Sequence, residues 1–165
     1  MTFLFQRGND SMTYQQNRNM QQGRESGRPR FGGQSPAGNG LGPENAVITG
    51  LTSLQHLQPE DLVAIAEKAG KFFSENRIKT TQIRRIHEHV IRQVTRARTN
   101  KGESAKEIRL LKYHLAYAAG RERNMRPFSD FFSPVLDKVT GMEDLERFRQ
   151  LFDAVLAYHK FYGSN

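Results

Sequence analysis

The sequence predicts an all-α fold: a single-domain bundle of about five helices preceded by a disordered N-terminal tail. Three observations carry that expectation. Apolar residues between about 59 and 163 recur at threes and fours, the spacing of one helix face. No run of useful length alternates apolar with polar residues, and no internal repeat is evident. The composition also changes along the chain. Residues 1–45 hold no Lys and almost no aliphatic side chains, so Gln, Asn, Gly, Ser, Arg and Pro there bury too little apolar surface to offset the entropy of ordering. Residues 46–165 are rich in Leu, Ile, Val, Ala and Phe and suffice for one hydrophobic core.

Each element follows from its own spacing. The Gly40-Leu41-Gly42-Pro43 stretch is the last strong break before the ordered part. Leu62, Ile65, Ala66, Ala69, Phe72 and Phe73 define a first helix over 59–76, with Pro59 suited to a first turn whose N–H has no partner. Ile83, Ile86, Val90, Val94 and Ala97 define a second over 80–98, with Thr80 as its N-cap. The turn at Thr99-Asn100-Lys101-Gly102 leads to a third over 103–120. There Ile108, Leu111, Leu115 and Ala118 share one face while Leu110, Tyr113 and Tyr117 lie roughly opposite, which predicts a central position. Pro127 interrupts, and Phe131, Phe132, Val135 and Leu136 mark a fourth helix over 129–139. Thr140-Gly141-Met142-Glu143 has capping-box spacing and opens the last helix, lined by Leu145, Phe148, Phe152, Val155 and His159 and stopped by Gly163.

The chain carries 25 Lys and Arg against 17 Asp and Glu, a net charge of +8, which favours a polyanionic partner such as nucleic acid. The excess is localised. Residues 77–126 hold 14 basic and 4 acidic side chains, whereas 46–76 and 127–165 are each net −2 and 1–45 only +2. On the second helix, Arg85, Arg92 and Arg96 fall within about 40° of one another, opposite the Ile/Val stripe. Glu88 is the only acid on that helix, so the ridge lacks the i,i+4 pairing that laces an ordinary solvated face. Lys106, Arg109 and Lys112 continue the positive series, then Arg121, Arg123 and Arg126. Arg suits phosphates because its planar fork donates two parallel hydrogen bonds while staying charged. Most of the aromatics sit at core spacing, Tyr113 and Tyr117 being the exceptions, so the surface is expected to read phosphate and shape with little sequence preference.

Other chemistry finds little footing in the sequence. Without Cys there are no disulfides, thiolate zinc sites or Cys nucleophiles. The five His stand at 56, 87, 89, 114 and 159; His87-Glu88-His89 is not the HExxH spacing, and its imidazoles point about 200° apart on a helix. No paired carboxylates, GxSxG elbow or GxxxxGK loop is present, and nothing calls for a metal or cofactor. The longest apolar run, Ala154-Val155-Leu156-Ala157-Tyr158, is far short of the ~20 residues of a membrane span. No basic residue precedes the Phe3-Leu4-Phe5 patch as a secretory signal requires, so a cytoplasmic protein is expected. Two rival functions remain open on the residues alone. One is a helix-turn-helix DNA-binding regulator reading with the second helix, where Gln82 and Gln93 lie near the Arg ridge. The other is a small metal-independent ribonuclease using His114 or His159.

Three segments carry a resemblance. Thr80-Thr81-Gln82-Ile83-Arg84-Arg85, then LKYHLAYAAGR at 111–121, then FDAVLAYHKFYG at 152–163, in this order and separation, resemble the small-subunit family of the type III-A CRISPR effector, the Csm interference complex. The similarity spans about 59–163. It implies a small helical protein without catalytic activity that assembles in several copies along a ribonucleoprotein filament. The partners it implies are guide RNA, target RNA, other Csm subunits and further copies of itself. The family's basic residues in these motifs fall on Arg84, Arg85, Lys112, Arg121 and Lys160, while Arg92 and Arg96 come from the helical-face argument only. Where the family's middle motif commonly reads Lys-Pro-Lys, this chain has Lys112-Tyr113-His114. The missing Pro predicts an earlier start for the third helix, and position 114 exchanges a permanent charge for a titratable imidazole.

Overall fold

The computed structural model describes residues 40–100 and 105–163. Of the tail expected to be disordered over residues 1–45, positions 1–39 lie outside them, while α-helix begins at Gly42; of the turn expected at 99–102, Lys101 and Gly102 lie outside them, while Thr99 still belongs to a helix. Six α-helices follow in order: α1 (Gly42–Gly50), α2 (Pro59–Glu75), α3 (Thr80–Thr99), α4 (Leu111–Arg121), α5 (Arg126–Asp137) and α6 (Met142–Tyr162). Three short 3-10 turns lie between them, Leu54–His56, Ala105–Leu110 and Arg123–Met125. The described residues contain no strand. The helical class is as expected, and the count is six instead of about five.

The extra helix, α1, owes its stability to neighbours. Its own apolar periodicity is weak and Gly stands at both ends, so its one start signal, Pro43 with Glu44 in the first turn, reads within a break in the chain. It is held by burial of Leu41 and Ile48, by the 2.9 Å ion pair between Lys68 on α2 and the buried Glu44, and by Lys138. The Lys138 ammonium donates to the carbonyls of Thr49 and Leu51, each at 2.6 Å, supplying at the C-terminus of α1 the cation its own last turn lacks.

The α2 helix ends in a Schellman motif. The Arg77 N–H donates to Ser74 O at 2.9 Å and the Ile78 N–H to Phe73 O at 3.1 Å. Buried Phe73 and Ile78 supply the accompanying apolar contact, and Arg77 takes the left-handed φ of 57° this motif demands. The chain therefore reverses in four residues, and α3 returns with Lys79, one residue before the expected Thr80, as its N-cap. The Lys79 N–H donates to Gln82 Oε1 at 2.8 Å.

At the centre stands an aromatic cluster contributed by α2, α5 and α6: Phe73, Phe128, Phe131, Phe132, Phe148 and Phe152, all fully buried. Phe132 lies 4.7 Å from both Phe128 and Phe152, ring centre to ring centre, in tilted arrangements that suit the ring quadrupoles. Helix α6 runs beside α2 in the same direction and antiparallel to α3. Gly70 on α2 meets Tyr158 and His159, whereas Arg98 of α3 pairs with Glu146, and His87 with Asp153.

The expectation that the third helix is central is corrected. Among the described residues of that segment only Ala105, Ile108, Leu111 and Leu115 are buried, while Leu110, Tyr113 and Tyr117 are 57, 60 and 68 % exposed. The second apolar face is therefore a surface. The segment also winds differently from the 103–120 helix expected, with residues 105–110 in 3-10 geometry and α-helix beginning only at Leu111. The fourth helix starts earlier than 129, at Arg126, because Pro127 occupies a first turn that needs no N–H. At the start of α6 the expected Thr140–Glu143 reciprocity is replaced by Thr140–Asp144: the Thr140 N–H and Oγ1 both donate to Asp144 Oδ2, at 2.9 and 2.6 Å.

Candidate nucleic-acid interface

The basic residues project from the core-opposed sides of α3 and α4, and their surroundings sort them into three groups. The first meets at the α3–α4 groove. Arg85 from α3 and Arg121 from α4 line this half-open depression of about 250 Å³, with Gln82, Ile86, His89, His114, Tyr117, Ala118, Glu122 and Met125. Thirty-six residues separate the two arginines in sequence. Neither has an ion-pair partner among the described residues, and both are exposed.

Two imidazoles form part of the wall. The His89 and His114 rings lie 4.1 Å apart, and Tyr113 lies 4.0 Å from His114 on its own helix. Arg92 donates from Nη2 to His89 Nδ1 at 3.0 Å, which fixes that nitrogen as an acceptor and the proton on Nε2. Burial, then the charges of His114 and Arg92, hold His89 below the usual imidazole range against the opposing pull of Glu88. His89 is therefore a neutral link between Arg92 and the groove.

The second group is engaged elsewhere in the fold. Arg96 pairs with Glu107 at 3.3 Å, and Lys112 with Asp137 at 2.6 Å. Arg109 donates to the Asp137 carbonyl at 3.0 Å, so Lys112 and Arg109 together clasp the C-terminus of α5. The counterweight that α3 lacks within itself is thus supplied from outside it, a contribution that i,i+4 reasoning cannot see. Arg98 likewise pairs with Glu146 at 2.6 Å; this contact, with help from Arg149, holds the Glu146 carboxyl below its usual range although burial opposes it.

The third group faces α6. Arg84 lies ~100° around α3 from Arg85, on the edge where His87 and Arg98 reach α6. Lys160 is exposed on α6, seven residues past Asp153 and therefore on the same helix face. The seven predicted residues thus do not form one surface. Arg85, Arg121 and, through His89, Arg92 share the groove; Arg84 and Lys160 belong to the α3–α6 edge; Arg96 and Lys112 carry cross-links.

The remaining histidines take separate roles. His87 meets Asp153 at 2.6 Å while His89 turns to α4, the divergence expected of positions two apart. His159 is only 2 % exposed, and its Nε2–H donates to Ile78 O at 2.8 Å, so it packs the α2–α6 crossing and offers no group to solvent. Burial holds it below the ordinary imidazole range, with the Ile78 bond opposing. That removes one of the two histidines on which a ribonuclease reading depended. Among the described residues no three His, Asp or Glu converge as metal ligands, and no helix is long and apolar enough to cross a membrane. Sequence reasoning missed Glu122, Ile86 and Met125 as groove residues. Ile86 stands on the apolar stripe that reads as core, and Glu122 and Met125 belong to no pattern the sequence displays.

A family model described as Csm2 Type III-A matches residues 56–165, two thirds of the chain. The chain belongs to the Csm2 family. No curated protein and no solved structure matches it. Csm2 proteins of this type are small subunits of the type III-A Csm complex, so other Csm subunits are partners of this chain. The matched region includes α2 through α6 and all seven basic positions above, whereas α1 precedes it.

Proposed function

We propose that this Csm2 subunit is a non-catalytic, RNA-binding structural component of a type III-A CRISPR ribonucleoprotein, acting in the cytoplasm in antiviral interference. It lines the filament in several copies and contacts the phosphate backbone of guide and target RNA. The observation that carries this reading is the convergence of Arg85 and Arg121, from two helices, on one groove within a segment holding 14 basic and 4 acidic residues. Exposed guanidiniums without carboxylate partners keep their donors for phosphate. A single copy binds weakly, and tethering copies side by side converts weak contacts into retention.

Salt dependence tests it. Each phosphate contact contributes about 0.7 to the slope of log affinity against log salt for a single strand. Arg85→Ala with Arg121→Ala should flatten that slope by about 1.4. Lys112→Ala, which breaks a contact to Asp137, should leave the slope nearly unchanged. Equal slopes for the double variant and the parent would remove the groove as the contact surface.

A further inference from the structure

The α3–α4 groove contains more than phosphate contact requires. Its floor is apolar, formed by Ile86, Ala118 and Met125, and Tyr117 stands largely exposed at its rim. A carboxylate, Glu122, sits among the cations, where a surface built for phosphate alone would gain nothing from it. That carboxylate is held in place: Gln82 Nε2 donates to Glu122 Oε2, and Gln82 Oε1 accepts from the Lys79 N–H at 2.8 Å. With both ends of its amide occupied, Gln82 cannot turn, and Glu122 Oε1 remains an acceptor directed by a fixed neighbour. At about 250 Å³ the groove is smaller than the roughly 300–1,000 Å³ of drug-sized pockets and suits one planar ring system.

We propose that this groove takes a single unstacked nucleotide, with its base between Tyr117 and the Ile86–Ala118–Met125 floor, its phosphate on Arg85 and Arg121, and an exocyclic amino group donating to Glu122. The inference rests on the RNA-contact reading for the source of the nucleotide and adds a base subsite to it. A stacked, paired base has no free face to offer such a slot, whereas single-stranded bases are held by aromatic stacking beside cationic grooves. Glu122 makes the subsite selective. Adenine, cytosine and guanine carry an exocyclic amino donor, whereas uracil offers only its ring N3–H, flanked on both sides by carbonyls that face the carboxylate at a cost.

Nuclear magnetic resonance titration of the full chain with AMP, CMP, UMP and ribose 5-phosphate tests this. AMP and CMP should shift the Tyr117, His114 and Ala118 signals, UMP should bind roughly tenfold more weakly, and ribose 5-phosphate should perturb Arg85 and Arg121 alone. Glu122→Gln should narrow the AMP-to-UMP ratio, and the exposed Tyr117→Ala should weaken all the bases together. An A-rich single-stranded RNA that shifts Tyr117, where its abasic counterpart does not, supports the subsite with the strand as the source even if free nucleotides bind too weakly to register. If RNA binds with an Arg85-dependent salt slope yet neither AMP nor the strand moves Tyr117 or His114, the base subsite is refuted and the phosphate interface stands. If neither RNA nor nucleotides bind, both fail.

Discussion

Asp144 shows how a single carboxylate joins distant parts of the chain. It is 2 % exposed and accepts four hydrogen bonds: from Ser53 Oγ, from the Gln55 N–H at 2.9 Å, and from the Thr140 N–H and hydroxyl. Burial alone would raise its pKa, but the hydrogen bonds prevail and hold it at about 2. A carboxyl depressed on folding stabilises the native state above its unfolded pKa of about 4 and loses that contribution as the pH falls through the folded value. Stability should therefore drop by about 2 kcal/mol between pH 5 and pH 2 on this account alone. Asp144→Asn should be less stable at pH 7 by a comparable amount and show a flatter acid limb in urea titrations. An acid limb unchanged by the substitution would contradict the assignment. The same residue marks a boundary of sequence reading: Thr140 was legible as a helix-start residue, but its partner was placed one position early, at Glu143, because spacing cannot register the pull of Ser53 and Gln55 from 90 residues away.

At the scale of elements, the crossing of α2 and α6 depends on a residue without a side chain. A Cβ on Gly70 would stand 2.6 Å from Tyr158 Cβ and 2.7 Å from the His159 backbone nitrogen. In an exposed helix, Gly→Ala stabilises by up to about 1 kcal/mol. Here backbone must move, so Gly70→Ala should instead destabilise by about 1–3 kcal/mol, measured as a lowered midpoint of chemical unfolding; a raised midpoint would show that the helices part without cost. Gly70 lay in plain view in the sequence, inside a correctly read helix, yet nothing in its own helix marks it as a contact point. The α4 segment gives the opposite lesson. Its two apolar faces were visible, but Leu110, Tyr113 and Tyr117 face solvent, since the interior was already filled by six phenylalanines from other helices. Burial is decided by competition for the centre, and a single helix carries no record of its competitors.

For the whole molecule, charge and core share stretches of chain and are parted by helix face: the basic segment also supplies buried Ile83, Val90, Ile108 and Leu115. Among the described residues the buried ones start at Leu41, and the basic excess lies within 77–126. Residues 1–39 contribute five Arg against Asp10 and Glu25. A chain beginning at Gly40 should accordingly melt within about 3 °C of the full-length protein. It should also keep its RNA affinity to within about tenfold at low salt. A larger loss of affinity would assign the principal contact to residues 1–39.

The sequence by itself determined the helical class, the approximate bounds of α2, α3 and α6, the localised positive segment and the resemblance that the Csm2 family match bears out. These are properties of local periodicity and composition, and they need no knowledge of what packs where. Only the tertiary structure decided which cations remain unpaired and which are spent on Glu107, Glu146 and Asp137. It also decided that Arg85 and Arg121 share a groove with Glu122, and that α1 forms at all. Each of these depends on groups brought together from separate helices, and the energy of such contacts is set by distance in space, which the order of residues leaves free.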